Sequence, residues 1–150
     1  MTTTTLQAGT RTALTTTVLN SLASATYVSA GVIDVSASDP IDYIVEVTAT
    51  PGTVSSNKLL SVFAKVSMDN TNFTTGPESG TTTTDEPNLY FLGTVPLNTN
   101  GTAQTKAFSI AQALGFVPPY CKIVVKNETG AALAASGHGV YYTPINAVTA

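Results

Sequence analysis

The chain is poor in the side chains that most often carry catalysis or bind metals. Its 150 residues include one Cys, one His and no Trp, and only 10% of them are charged, against about 25% in typical domains. A single Cys cannot form an intramolecular disulfide. One His and one Cys fall short of the three or four N or S ligands of most zinc sites. We therefore expect no disulfide framework, no metal site and no cofactor.

Basic residues are also scarce, with six Lys and Arg against nine Asp and Glu and a net charge of −3. Nucleic-acid binding depends on clustered Lys and Arg, and a polybasic membrane patch has the same requirement. No apolar run approaches the roughly 18 residues of a transmembrane helix. Residues 1–6 lack the basic and apolar segments of a secretory signal. The sequence therefore predicts a protein made in the cytoplasm, with neither nucleic acid nor a membrane as partner.

Short apolar stretches separated by Gly, Pro, Asn and Asp fill most of the chain and predict β-strands. The clearest stretch, residues 41–50, alternates apolar and polar side chains between two turn signals, Asp39-Pro40 and Pro51-Gly52. Residues 59–68 alternate in the same way and end in a turn at 69–72. The other predicted strands are residues 12–19, 27–35 with a break at Gly31, 89–95, 105–108, 120–126, 131–135 and 139–143.

One helix signal interrupts this series of strands. Ser109 is a predicted N-cap, Gln112 follows three residues later, and Gly115 fits the position after the last turn, which predicts a short helix over residues 109–114. About eight short strands with almost no helix are typical of an antiparallel arrangement rather than of βαβ units. We predict an all-β fold: a single-domain antiparallel β-sandwich or jelly roll of about eight strands over residues 11–150.

Two Thr-rich segments stand apart from the predicted strands. Residues 1–10 have no hydrophobic period and predict a flexible N-terminal arm, although β-branched Thr also favours an extended strand that adds to a neighbouring sheet edge. Residues 74–88 predict a long loop, and such loops are usually functional or disordered. The residues that we predict to contact a partner are Thr2, Thr3, Thr4, Thr5, Leu6, Thr81, Thr82, Thr83 and Thr84.

The remaining candidates for chemistry favour structural roles. His138 lies between two glycines without a Gly-x-Ser-x-Gly nucleophile motif, which favours a turn or bulge. Cys121 begins an apolar strand and behaves as a small apolar residue. Asp42 and Glu46 share a strand face that could hold an oxygen-preferring cation, but nothing marks a cleft, so a solvated face is favoured. The sequence predicts no catalytic residues and a protein that is not an enzyme.

Several short segments follow one another along the chain in an order that resembles that of a known protein family. They are Ser21-Leu22-Ala23-Ser24, the hairpin Lys65-Val66-Ser67-Met68-Asp69-Asn70-Thr71-Asn72-Phe73, Asn88-Leu89-Tyr90-Phe91-Leu92-Gly93-Thr94-Val95, Ala107-Phe108-Ser109-Ile110-Ala111-Gln112-Ala113-Leu114-Gly115, and Val124-Val125-Lys126-Asn127-Glu128-Thr129-Gly130-Ala131-Ala132-Leu133. The series resembles small virion proteins of tailed bacteriophages, of the jelly-roll type that decorates or cements a capsid. The resemblance covers residues 20–145 and rests on hairpin segments rather than on a catalytic motif.

The resemblance implies a structural role on a phage particle. It implies attachment to the major capsid protein at the outer capsid surface, homotrimers at local threefold axes, and synthesis in the host cytoplasm. It identifies no contact residues. Two alternatives remain open: a receptor- or carbohydrate-binding module of the virion, which would use exposed aromatic side chains, and a structural component of the tail or neck.

Overall fold

A computed structural model describes residues 3–55 and 57–149 of the chain as two antiparallel β-sheets packed face to face. The strands are β1 Thr4–Ala8, β2 Thr12–Thr15, β3 Tyr27–Asp34, β4 Asp42–Ala49, β5 Leu59–Ser67, β6 Ser79–Gly80, β7 Tyr90–Pro96, β8 Gln104–Ser109, β9 Tyr120–Asn127 and β10 Gly139–Thr149. One α-helix, α1, spans Ile110–Leu114, and a 3₁₀ turn spans Glu86–Asn88.

The strand order is that of a jelly roll with two short strands added at its edges. Sheet A has the order β1-β10-β4-β8, with β2 also paired to β10, and sheet B has the order β6-β3-β9-β5-β7. Without β1 and β6, the orders are β2-β10-β4-β8 and β3-β9-β5-β7, those of the two four-stranded sheets of an eight-stranded jelly roll. The predicted fold class is confirmed. The count is ten strands rather than eight, because β1 and β6 form in the segments predicted as arm and loop.

The core fills the space between the sheets with aliphatic side chains from alternate positions of each strand. In β4, Tyr43, Val45, Val47 and Ala49 are fully buried, whereas the positions between them face outward. This is the period-2 pattern that the sequence predicts over residues 41–50. Burying each such Val or larger side chain contributes about 1.5–3 kcal/mol, so the alternation determines which face of the strand points inward.

The predicted helix is confirmed, and Ser109 is its N-cap as predicted. The Ser109 hydroxyl accepts a hydrogen bond from the Gln112 N–H at 3.0 Å, and Gly115 ends the helix with a positive φ of 80°. The Asp42 carboxylate accepts hydrogen bonds from the Ser109 hydroxyl at 2.6 Å and from the Ala111 N–H at 2.8 Å. Helix α1 is therefore fixed to the first residue of β4.

Three predicted strands differ from the structure in extent. The predicted strand 12–19 ends at Thr15, and the final strand continues to Thr149 because its second half pairs with β1. The weak strand predicted at 131–135 is an isolated bridge between Pro51 and Leu133. The break predicted at Gly31 is confirmed: the register shifts there, and the φ of 117° is one that glycine adopts readily.

The segment predicted as a flexible arm forms strand β1 on the edge of sheet A. Thr4 pairs with Thr149 and Ala8 with Ile145 along β10. All five side chains of β1 are exposed, so the strand is held by main-chain pairing, which needs no hydrophobic pattern that a sequence could reveal. Thr2 lies outside the described residues, and Thr3 precedes the strand without joining it.

Candidate interaction surfaces

His138 is held between two main-chain segments. Its Nδ1 accepts a hydrogen bond from the Thr50 N–H at 3.2 Å, and its Nε2 lies 2.9 Å from the Ala134 carbonyl oxygen, to which a ring protonated at Nε2 donates. Both ring nitrogens are thus committed to the main chain, and the side chain is buried. The geometry gives His138 the structural role predicted from its flanking glycines.

Cys121 is a buried strand residue beside Tyr43 in the core. Burial raises the pKa of the Cys121 thiol to about 12, despite a hydrogen bond with Tyr43 that lowers it. A reactive cysteine needs a thiolate that is accessible near neutral pH. The thiol therefore contributes to packing, as predicted.

The carboxylates of Asp42 and Glu46 are used separately. Asp42 caps α1, whereas Glu46 accepts a hydrogen bond from Arg11 Nε at 2.8 Å. The Arg11 guanidinium also lies over the Tyr141 ring, 3.5 Å from its centroid. Within residues 3–55 and 57–149, no three His, Cys, Asp or Glu side chains lie together in a way that could hold a metal ion.

The outer face of sheet B is covered by the chain itself. Residues 69–89, which we call the strap, run from the end of β5 across this face to the start of β7. Residues 60–67 of β5 are buried on both sides of the sheet. Under the strap, a small apolar cluster that is separate from the main core consists of Tyr27, Phe63, Leu89 and Val124.

Two glutamates attach the strap to lysines of sheet B. Glu78 accepts hydrogen bonds from Lys65 Nζ at 2.5 Å and from Lys122 Nζ at 2.9 Å. Although burial opposes the shift, these two hydrogen bonds hold the pKa of the Glu78 carboxyl below its usual range. Lys65 is 6% exposed, and the carboxylate therefore neutralises a charge that water hardly reaches.

The second glutamate, Glu86, lies nearer the other end of the strap. It accepts hydrogen bonds from Lys126 Nζ at 2.8 Å and from the Tyr27 hydroxyl. Lys126 also pairs with Glu128 at 3.1 Å, and the Lys126 pKa is raised because the two carboxylates outweigh the effect of burial. Half of the six basic residues of the chain thus neutralise carboxylates on this one face.

The outer face of sheet A is bare by comparison. Its outward positions follow from the register, since Val45, Val47 and Val140 point into the core and their neighbours point out. We call this surface the A face; its outward residues include Thr4, Leu6, Ala8, Ile44, Thr48, Thr105, Ala107, Tyr141, Thr143, Ile145 and Ala147. The charged groups among its described residues are the Arg11–Glu46 pair and the helix-capping Asp42.

The two predicted contact segments lie at opposite ends of the sandwich. Residues 81–84 are exposed and follow β6, which pairs with the first residues of β3. Strand β1 pairs with β10 beyond the start of β4, and β4 begins soon after β3 ends. Thr3, Thr4, Thr5 and Leu6 are exposed, as are residues 81–84.

Neither the A face as a surface nor the strap as a cover was predicted from the sequence. The A face had a signal, because Ile44, Ala107 and Ile145 occupy outward positions where polar residues would be ordinary. The signal for the strap was weaker and consisted of its two glutamates, which form ion pairs with lysines elsewhere in the chain. Such matches cannot be read without the register of the sheet.

The comparisons with known proteins assign no function to this chain. No protein-family model, curated protein or solved structure matches this chain. Among the described residues, no helix has the length and apolar composition needed to cross a membrane. Function is therefore argued from the surfaces themselves.

Proposed function

We propose that this chain is a non-enzymatic structural protein of a phage particle, which decorates the outer surface of the capsid and stabilises it. The A face is the observation that supports this proposal most directly. Jelly rolls serve many functions, so the fold by itself does not distinguish among them. The surface that the chain leaves free for a partner distinguishes among them.

The A face has the composition of a surface that can be buried. Ile44, Ala107, Ile145 and Leu6 lie among threonines, and the only full charges among its described residues already have partners. Burying an unpaired ion against a partner costs several kcal/mol, and the centres of protein interfaces are depleted in charge for this reason. A neutral sheet surface therefore suits attachment to another protein.

Attachment stabilises a shell if the protein binds the assembled state better than the free subunits. At a free concentration of 100 times Kd, each occupied site contributes about 2.7 kcal/mol. The partner that we propose is the major capsid protein, and several weak contacts per copy would add up through avidity. The homotrimer implied by the resemblance stays a prediction, as does attachment through residues 81–84.

The test measures binding of the purified protein to capsids of the phage that encodes it, by co-sedimentation. Ala107→Glu adds a carboxylate to the β8 side of the A face, opposite Glu46 on the neighbouring strand, and should lower the affinity at least tenfold. Thr82→Glu makes a similar change on the strap and should bind like wild type. Capsids that take up none of the wild-type protein would overturn the proposal, and loss of binding in Thr82→Glu alone would move the contact to residues 81–84.

A receptor- or carbohydrate-binding module is the second candidate, and one groove favours it. Phe91 is 55% exposed and its ring contacts Phe63 with centroids 5.5 Å apart, beside Glu86 and Glu128. Aromatic faces with neighbouring carboxylates suit sugars. However, Glu86 already accepts from Tyr27 and Lys126, and Glu128 accepts from the Ser61 hydroxyl. Binding on a glycan array that Phe91→Ala abolishes would favour this alternative over capsid decoration.

A tail or neck component differs from a decoration protein in its place on the particle. The A face would serve either location equally well, because both require attachment to another virion protein. Cryo-electron microscopy of intact particles separates the two, since density for this jelly roll on the capsid lattice supports decoration and density at the tail or neck overturns it.

A further inference from the structure

Strand β1 is an edge with little protection against pairing with another chain, among the strands that the structure describes. Natural sheet edges are usually blunted by Lys or Pro, by bulges, or by being very short. Edge strand β8 has Lys106 in its middle, β7 has a bulge beside Gly93 and ends in Pro96, and β6 has two residues. Strand β2 is short and has a register shift. By contrast, β1 is uncharged and pairs in unbroken register.

The register of β1 determines which of its main-chain groups are free. The Gly9 N–H donates to the Pro144 carbonyl oxygen at 2.7 Å. In an antiparallel pair the main-chain groups point toward and away from the partner strand at alternate residues, so Thr5 and Gln7 also face β10. The residues that turn both their N–H and C=O groups away from β10 are Thr4, Leu6 and Ala8.

This part of sheet A is only two strands wide. The pairing of β10 with β4 ends at Ile145, so within the described chain residues 146–149 pair with β1 alone. Two-stranded ribbons are marginally stable in water, and a third strand usually supports them. The ribbon also exposes apolar side chains, with Leu6 70% and Val148 39% exposed. Both features indicate a surface that a further strand would complete.

We propose that this further strand is β1 of a second copy of the chain. With the two strands antiparallel and Leu6 on a twofold axis, Leu6 faces Leu6 of the partner subunit, and Thr4 faces Ala8 of the partner subunit. These are the positions whose main-chain groups are free, so the edge is complementary to itself, as a twofold interface requires. Three such pairs exchange about six hydrogen bonds.

The side chains and charges fit a second copy as well. Residues 3–10 contain no charged side chain, and Arg11 is paired with Glu46, so two β1 strands meet without like-charge repulsion. The two Leu6 side chains lie next to each other on the A face, at the roughly 5 Å separation of opposite residues. The pairing joins two A faces into one continuous sheet. It is a property of the protein alone and does not rest on capsid binding.

The twofold pairing is tested by mass and by cross-linking of the full chain. Sedimentation equilibrium should give twice the 15.4 kDa of the chain. Leu6→Pro removes an outward-facing N–H and leaves the hydrogen bonds to β10 in place, so it should give a monomer with an unchanged circular dichroism spectrum. Thr3→Lys adds a charge that lies far from its symmetry mate, roughly 20 Å along the paired strands, and should remain a dimer.

Cross-linking tests the pairing even if the dimer is weak or the Leu6→Pro variant fails to fold. Leu6→Cys places thiols within disulfide reach across the axis, since opposite residues in such a pair have Cα atoms about 5.5 Å apart, and the native Cys121 is buried. Mild oxidation should give a disulfide-linked dimer, whereas the control Thr3→Cys should give little. The dimer replaces the homotrimer that the resemblance implies, so a wild-type trimer would overturn the proposal, as would a wild-type monomer without this cross-link or a Leu6→Pro dimer.

Discussion

The two outer faces of this sandwich differ in their charge and in how far the chain covers them. The outer face of sheet B carries three lysines, and the chain covers them with its own strap, whose Glu78 and Glu86 neutralise them. The A face carries apolar residues and threonines, all of them half-buried or exposed, and few charges. One face is therefore completed within the molecule, whereas the other is left in a state that a partner could complete.

The difference shows how a chain with few charges distributes them. Lys65 is almost fully buried and needs a carboxylate close by, because an unpaired ion removed from water is strongly destabilising. The A face avoids this requirement by having almost no ions. The strap therefore pairs its carboxylates with lysines of the same molecule, whereas the A face carries few ions.

The largest effect is expected from the apolar contact that holds the strap on sheet B. Leu89→Ala should lower the free energy of unfolding by about 2–4 kcal/mol, because it empties the cluster around Tyr27 and Phe63. Met68→Ala, a control just before the strap in which the side chain is 73% exposed, should change it by less than about 0.5 kcal/mol. Urea unfolding measures both. Equal losses would mean that the strap is not packed as described.

The strap also explains where sequence reasoning succeeded and where it stopped. Period-2 alternation predicted β4 and β5 to within a residue or two, because each strand has one face in the core. The polar side of β5 would ordinarily predict solvent. It is buried because Glu78, which lies 13 residues beyond Lys65, returns to cover it. No local pattern contains that information.

A different limit applied to the N-terminal segment and to the candidate surface. The A face could be predicted only in part, since the outward positions of β4 follow from its alternation but their neighbours on β8 and β10 follow from the register. Strand β1 was anticipated only as the alternative to a flexible arm, because both of its faces are exposed and leave no hydrophobic period to detect. The structural roles of His138 and Cys121, by contrast, followed from their neighbours in the chain.

A smaller effect is expected from the ion pairs that hold the strap. Glu78→Gln leaves Lys65 buried without a carboxylate and should lower the free energy of unfolding by about 2 kcal/mol at pH 7. This is below the 3–5 kcal/mol of fully buried pairs, because Glu78 is 35% exposed and water screens part of the interaction. Urea unfolding at constant ionic strength measures it.

The same variant has a pH dependence with a defined sign. The Glu78 pKa is lower in the folded protein than its ordinary value, so its contribution is present above the ordinary glutamate pKa of about 4.3. It is lost as the pH falls through the lowered folded value. The difference in Tm between wild type and Glu78→Gln should therefore be largest at pH 7 and disappear at acid pH. A difference that persists unchanged at acid pH would contradict the ion-pair account of the strap.

The smallest effect is expected from the matching substitution on the other face. Glu46→Gln removes the carboxylate that pairs with Arg11, whose side chain is 48% exposed and keeps its contact with the Tyr141 ring. Exposed pairs contribute little and are screened by salt. The Tm should therefore match wild type at physiological ionic strength and fall slightly below it at low salt. If Glu46→Gln destabilised the protein as much as Glu78→Gln, the A face would depend on its ions as the strap does, and the contrast between the two faces would be lost.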